Sequence, residues 1–307
     1  MNMILVYSLV IVFALLILAS ITIFILGERY PQKDWTELRL RIKTWWWIVI
    51  VFTLAITTPN LISLTIFAII SFLALKEYVS LVSIHNAIPT MLLLLAYLSI
   101  PFQYFWVYLQ WYGMFSVFIP VYVFLFLPIV MIFLGRYKDF LHSTAFIHWG
   151  IMTTIYAISH VAYLMVLPTN NLSDGVLLVI FLVALTECND IAQYLWGKFL
   201  GKIKITPKIS PNKTLAGLLG GVTTTVILAW ILGSVLTPLN SNQSLLAGLL
   251  IGLSGFVGDI VMSAIKRDVG VKDSGNLLPG HGGILDRLDS LIYTAPLFFH
   301  FIRYLYY

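Results

Sequence analysis

Apolar runs long enough to cross a bilayer recur along this chain, and its polar residues fall mostly between them. Residues 3–26, 115–134, 176–185 with its continuation, 215–236 and 244–265 mostly approach or exceed the roughly 20 residues that span a hydrocarbon core. Between 44 and 134 the runs are shorter. They are interrupted by Pro59 and Asn60, by Lys76 and Glu77, by residues 85–89 and by Pro101, and four spans fit there. The total comes to about ten, which predicts an all-α, polytopic integral membrane protein. The first run lacks a basic start and a small-residue cleavage site, so it reads as a retained anchor rather than a signal peptide. No soluble domain, low-complexity tract or internal repeat is evident. Residues 1–170 form a membrane region poor in chemistry. Residues 171–307 form the region that carries almost every candidate reactive group, the two making one integrated domain.

The basic residues give an orientation. Arg29, Lys33, Arg39, Arg41 and Lys43 crowd one loop, and Arg136 and Lys138 a second. Lys198, Lys202, Lys204, Lys208 and Lys213 fill a third, and segment 266–287 is the fourth. Loops 168–174 and 238–243 carry no positive charge. With ten spans the two sets fall on opposite sides, so the positive-inside rule puts the basic loops in the cytosol and both termini outside. The net charge of +5 is accounted for by this bias and a phosphate site, with no basic patch on a soluble module to bind nucleic acid. Cys188 is the single cysteine, which excludes an intrachain disulfide and a cysteine-based metal site.

Charge is concentrated near the C-terminus. Asp259, Lys266, Arg267, Asp268, Lys272, Asp273, Asp286, Arg287 and Asp289 fall within 31 positions of a chain that is only 10% charged. Ionisable groups persist in so apolar a chain mainly where chemistry or transport needs them. On a helix Asp259, Ser263 and Lys266 share one face, at i, i+4 and i+7. An Asp–Lys pair that neutralises itself is the simpler account of two such residues. The company of Arg267, Lys272 and Asp286 favours metal or phosphate binding. The run Pro279, Gly280, His281, Gly282, Gly283 is a loop by composition, able to present backbone N–H groups to anionic oxygens. Asp286 and Asp289 follow at i, i+3 as the next span begins.

Upstream, Ser210 or Thr214 can cap the helix that starts at 215, which places Lys213 where a phosphate would bind. Glu187, Asp190 and Tyr194 form one stripe and read as a polar pocket wall. Lys76 and Glu77 read as a buried pair tying helices together. Trp45, Trp46 and Trp47 read as an interfacial anchor, as do Arg303 and the closing tyrosines. His142, His148, His160 and His300 lack metal-ligand spacing.

Ser263, Lys266, Arg267, Lys272, Asp273, Gly275, Pro279, His281, Gly282, Gly283, Asp286, Arg287 and Asp289, in this spacing, resemble the signature of the phosphatidate cytidylyltransferases, also called CDP-diacylglycerol synthases. The likeness continues through Asn189, Asp190, Tyr194, Gly197, Lys198, Ser210, Pro211, Lys213 and Thr214, and so covers about the last 120 residues. The run around Lys76, Glu77 and Tyr78 is similar to a bacterial branch of the family. The resemblance implies cytidylyl transfer from CTP to phosphatidic acid, giving CDP-diacylglycerol and pyrophosphate with Mg2+, and leaves room for a second, monovalent cation. It implies that Asp259 and Asp286 hold the metal, and that Lys213, Lys266, Arg267, Lys272, Arg287 and Ser210 bind CTP and phosphate. It gives Asp190, Ser263, Asp273, His281, Gly282, Gly283 and Asp289 catalytic or pocket-shaping roles. The location implied is the bacterial inner membrane, with a pocket near the cytosolic leaflet open to both water and lipid. Small-residue helix faces permit a homodimer.

One position departs from the family pattern. Glu usually stands two residues past Thr214, where this chain has Ala216. That keeps two alternatives open beside the main reading: a cytidylyltransferase for another membrane lipid phosphate, and an inactive homologue that binds nucleotide or lipid. A transporter is disfavoured, because the charges gather at one membrane face and no paired broken helices stand out.

Overall fold

The computed structural model describes residues 3–82, 90–135, 140–168, 172–280 and 282–307. The helices are α1 (Met3–Arg29), α2 (Thr36–Thr57), α3 (Asn60–Val82), α4 (Thr90–Tyr108), α5 (Tyr112–Val117), α6 (Phe124–Phe133), α7 (Phe140–Ile151), α8 (Ala157–Val166) and α9 (Leu172–Leu200). A hairpin of β1 (Lys204–Thr206) and β2 (Ser210–Thr214) follows, then α10 (Leu215–Leu236), α11 (Ser241–Asp268), α12 (Leu285–Leu288) and α13 (Leu291–Tyr306). The π-helical turns Phe118–Val123 and Met152–Tyr156 join α5 to α6 and α7 to α8, so each pair runs on as one span.

Nine helices among the described residues, counting each joined pair once, are long and apolar enough to cross a membrane. The tenth expected span is α13, whose 16 residues extend about 24 Å, less than a typical hydrocarbon core. The protein is an all-α polytopic membrane protein, and helices dominate because lipid offers backbone groups no partners. Four spans do lie between 36 and 133, but two expected interruptions are absent. Helix α3 runs straight through Lys76 and Glu77, and α4 through Pro101. A proline is tolerated there because neighbouring helices shield the backbone groups it frees. The expected break at 85–89 lies outside the described residues. Arg136 and Lys138 of the second basic loop do so too. The third basic loop is in part the β1–β2 hairpin rather than loop throughout.

The core is built around α8, every residue of which is buried, with Phe115, Leu127, Phe181, Phe298 and Phe299 packed into the same cluster. Helix α1 is peripheral: Leu5, Leu16 and Gly27 are its buried residues. The part of the bundle that holds the charged groups is α9, α10 and α11. A Cβ on Gly248 of α11 would lie 2.6 Å from Ala229 Cβ and 2.8 Å from Val226 Cα of α10, so these backbones touch. Buried Asn189 of α9 then locks all three helices. It accepts a hydrogen bond from the Thr225 hydroxyl of α10 at 3.1 Å and donates to the Gly252 carbonyl of α11 at 3.2 Å. The next residue is Asp190, which this lock holds in place.

Candidate functional site

Helices α9, α10 and α11 and the segment around α12 enclose a cavity of about 270 Å³, whose charged lining is Asp190, Lys213, Asp259, Asp286, Arg287 and Asp289. A larger groove of about 740 Å³ lies between α1 and α2 and includes none of these groups. The smaller cavity is the one lined by the charged side chains of the C-terminal region. It is not sealed, since Tyr194, Asn212 and Arg287 on its wall are exposed.

Lys213 reaches the cavity because the hairpin ends on the cap of α10. The Thr214 side chain accepts the Gly217 N–H at 3.1 Å, as a capping residue should, and so orients the residue before it. The Lys213 ammonium pairs with Asp259 of α11, donates to Gln193 Oε1 of α9 at 3.0 Å, and stands 5.5 Å from the Phe256 ring centroid. The Ser263 hydroxyl donates to the other Asp259 oxygen at 3.3 Å. Lys266, one turn further along α11, does not pair with Asp259. Its ammonium lies 2.6 Å from Asp286 Oδ1.

The opposite oxygen of Asp286 accepts the backbone N–H groups of Ser274 at 2.8 Å and Gly283 at 2.9 Å. Burial pushes this carboxyl up, but the Lys266 hydrogen bond, the Gly283 N–H, the Lys266 charge and the Ser274 N–H together hold it below the usual carboxylate range. Of these two N–H groups only that of Gly283 comes from the glycine-rich loop, and the anion it meets is the protein's own carboxylate. Gly282 adopts φ +80°, and a Cβ there would come 2.7 Å from Asp286 Oδ2.

Glu77 of α3 completes this arrangement. Its buried carboxylate accepts the Ser274 hydroxyl, the Ile284 N–H at 2.9 Å and the Leu285 N–H at 3.1 Å. Lys76 is exposed and makes no ion pair with it among the described residues. Glu77 does tie elements together, as expected, but through loop donors rather than its neighbouring lysine. On the far wall Asp190 Oδ2 accepts the Ser290 hydroxyl at 2.8 Å, while its Oδ1 is buried with no hydrogen-bond partner among the described residues. Burial, with the carboxylates of Asp259 and Asp190 nearby, pushes the Asp289 carboxyl well above its ordinary range.

These carboxylates suit a hard divalent cation. Four acidic and two basic side chains line the cavity, so carboxyl groups outnumber cationic groups on its wall. The buried Asp190 oxygen, which no hydrogen bond among the described residues occupies, is a donor available to such an ion. Among the described residues no three His, Cys, Asp or Glu side chains already converge on one point, because Asp259 and Asp286 are each turned to a lysine.

Several residues expected in the site stand outside the lining. Arg267 donates from Nε to the Ile209 carbonyl at 3.3 Å and from Nη1 to the Val271 carbonyl at 3.0 Å, fastening the hairpin turn to the end of α11. Lys272 and Asp273 are exposed beyond that helix, and Ser210 lies at the start of β2. Glu187 shares the stripe of Asp190 but not the cavity wall. Ala216 is the second residue of α10, whose first turn holds no acid. His281 lies outside the described residues. Sequence reasoning missed Gln193, Ser274 and Ser290 as partners of the charged groups. It read Glu77 as structural, although an acid inside an apolar span was itself a signal.

Comparison with known proteins adds four findings. Residues 39–305 match the model of the cytidylyltransferase family. An uncharacterized protein YnbB of Escherichia coli K12 is 56% identical over 297 residues, covering 97% of this chain and 98% of that protein. A phosphatidate cytidylyltransferase of Synechocystis is 44% identical over 136 residues, 43% of this chain and 45% of its own length. One of Staphylococcus aureus strain COL is 42% identical over 127 residues, 41% of this chain and 48% of its own.

Proposed function

The chain belongs to the cytidylyltransferase family, and on that premise we propose that it transfers the cytidylyl group of CTP to phosphatidic acid, releasing CDP-diacylglycerol and pyrophosphate. The names of the Synechocystis and Staphylococcus relatives support that substrate pair. The observation that carries the reading is the cavity in which Lys213 and Arg287 face Asp190, Asp259, Asp286 and Asp289.

In the reaction a lipid phosphate oxygen attacks the α-phosphorus of CTP. The bond from that phosphorus to the bridging oxygen of pyrophosphate breaks. The nucleophile is already an anion, so no general base is required. The difficulty is to bring two anionic phosphates together, because their repulsion grows as the dielectric falls. Lys213 and Arg287 offset that repulsion from two sides of the cavity and stabilise charge on the leaving group. Lys266 and the Ser274 and Gly283 N–H groups fix Asp286 at the wall, and Gln193 and Ser263 steady the Lys213–Asp259 pair.

Asp259 and Asp286, with Asp190 and Asp289 beside them, would hold Mg2+. When bound it supplies Lewis-acid neutralisation of phosphate charge. In this reading the cavity opens toward the cytosol, where CTP is, and the lipid arrives from the adjoining inner-membrane leaflet.

The test is CDP-diacylglycerol formation by the purified full chain in detergent, with and without Mg2+. Product from CTP and phosphatidic acid supports the proposal, and failure with phosphatidic acid but turnover of another lipid phosphate redirects the substrate. Ala216, together with the full-length likeness to a protein without an assigned function, favours one second reading: a homologue that binds CTP without turnover.

A further inference from the structure

The groove of about 740 Å³ between α1 and α2 has a lining that changes character along its length. Ile23, Phe24, Ile42 and Ile50 form its apolar part. Glu28, Arg39 and Lys43 form the charged part, with Trp46 and Trp47 also on the wall. Trp46 braces the groove by donating from Nε1 to the Ser20 hydroxyl of α1 at 3.1 Å.

Arg39 and Lys43 are one helical turn apart on α2, and both are exposed. Among the described residues neither side chain makes a hydrogen bond or ion pair, whereas their neighbour Arg41 is paired with Glu37. Like charges at i, i+4 repel, so an anion between them would be stabilised, and Glu28, the acid of the same lining, pairs with neither among the described residues. A Cβ on Gly27 would lie 2.7 Å from the Arg39 guanidinium, so Arg39 leans across to α1 at this glycine. Cations at one end of an apolar cleft, with tryptophans one to two helical turns further along it, match a phosphate headgroup with its acyl chains running past the indoles.

We infer that this groove is a binding site for a bilayer phospholipid with an anionic headgroup, separate from the catalytic cavity. Arg39 and Lys43 hold the headgroup phosphate, and the α1–α2 cleft takes an acyl chain. All of α1 precedes residue 39, where the family match begins, so the site is built partly from outside the family's matched region. It also adjoins the catalytic loop. The Thr44 hydroxyl of α2 donates to the Pro279 carbonyl at 2.6 Å, and a Cβ on Gly280 would meet Leu40 Cβ at 3.1 Å and the Arg41 nitrogen at 3.2 Å. Lipid bound in the groove thus bears on the helix that supports that loop.

Phosphatidylglycerol is a suitable probe, because as a phosphodiester it is not a substrate of the proposed reaction. Native mass spectrometry of the full chain would compare retention of phosphatidylglycerol with that of phosphatidylcholine. A roughly tenfold preference for the anionic lipid is expected from two cations at the surface. It should vanish in the Arg39→Gln, Lys43→Gln double variant and persist in Arg39→Lys and in a Lys33→Gln control. Phosphatidylglycerol brominated on its acyl chain should quench Trp46 fluorescence, read as the difference between the wild type and Trp46→Phe. Equal retention of the two lipids, or a preference unchanged in the double variant, would overturn the inference. CTP turnover in the same preparations reports separately on the proposed reaction.

Discussion

Glu77 and Ser274 are hydrogen-bonded across 197 positions of sequence, joining a membrane helix of the first half to the loop that holds Asp286. The same carboxylate takes the Ile284 and Leu285 N–H groups. Glu77 is thus the acceptor around which the loop closes, and Asp286 fills a similar role with the Ser274 and Gly283 N–H groups on the other side.

The first prediction concerns that acceptor. Glu77→Ala leaves a buried hydroxyl and two N–H groups without a partner, each hydrogen bond to a charged group being worth about 1.5–3 kcal/mol. The thermal midpoint should fall by several degrees and CTP turnover by more than about tenfold, since a site loosened by an ångström loses on that scale. Glu77→Gln keeps one acceptor and should fall between the wild type and Glu77→Ala. Unchanged activity in Glu77→Ala would show that loop position does not limit the reaction.

Gly283 tests the same closure sterically. A Cβ there would overlap both the Glu77 carboxylate and the Ser274 hydroxyl. Gly283→Ala should therefore abolish turnover while the protein still purifies as a folded membrane protein, because the clash is confined to the loop. Gly270 has φ +74° but nothing within 4 Å of its added Cβ. Gly270→Ala should cost only about 1 kcal/mol, for a left-handed conformation. The contrast, read by activity and thermal melting, separates crowding from backbone strain.

The charged half of the site was legible in the sequence because charge is conspicuous in so apolar a chain. Asp190, Lys213, Asp259, Asp286, Arg287 and Asp289 meet at one cavity, whereas Arg267, Lys272 and Asp273, equally conspicuous in the sequence, do not line it. The pairing was not legible. Helical spacing puts Asp259 and Lys266 on one face, but it cannot say that Lys213 reaches Asp259 from the hairpin and leaves Lys266 to Asp286. Glu77 was hidden for another reason. Two of its three partners are backbone N–H groups, which leave no trace in side-chain identity. The hairpin escaped notice because its strands have three and five residues and no apolar alternation.

Acid should expose the Asp286 pairing. Its folded-state pKa is lowered, so its contribution to stability is fully present above the unfolded value of about 3.9 and is lost as pH falls through the lower folded value. In EDTA the thermal midpoint of the wild type should drop more steeply below about pH 4 than that of Asp286→Asn. Lys266→Met should remove the difference and destabilise the protein at neutral pH by roughly 3–5 kcal/mol, because it leaves a buried carboxylate unpaired. Parallel acid limbs in wild type and Asp286→Asn would show that the pair does not set the acid response.

Lys213 and Arg267 are both basic residues of the family-like pattern, and the structure separates them. Lys213 lines the cavity, whereas Arg267 binds backbone carbonyls of the hairpin turn and its own helix end. Lys213→Gln removes a cation facing the reacting phosphates and should lower kcat roughly 10²–10³-fold, the range for losing one preorganised electrostatic contact. Arg267→Gln should change kcat by less than about tenfold, since an exposed hydrogen bond is worth about 1 kcal/mol. Losses of equal size would place Arg267 on a ligand phosphate after all.

Ala216 offers the sharpest test of whether this chain turns over. It occupies the second position of α10, in a first turn with no acid, beside Thr214 and Gly217 of the cavity wall. A glutamate there would gain from the positive end of the helix, by about 0.3–1 kcal/mol, and would add a carboxylate to a lining where acids already outnumber bases four to two. The added acid should therefore act on cation affinity more than on the chemical step. Ala216→Glu is expected to lower the Mg2+ concentration for half-maximal activity by about tenfold, in the range for groups that support a metal site. The limiting rate should stay within severalfold. Measuring CDP-diacylglycerol formation across a Mg2+ titration for both forms decides the matter. Turnover in the Glu form alone, at every Mg2+ concentration, would make this chain an inactive homologue, because Asp190, Asp259, Asp286 and Asp289 would then be insufficient without a fifth carboxylate.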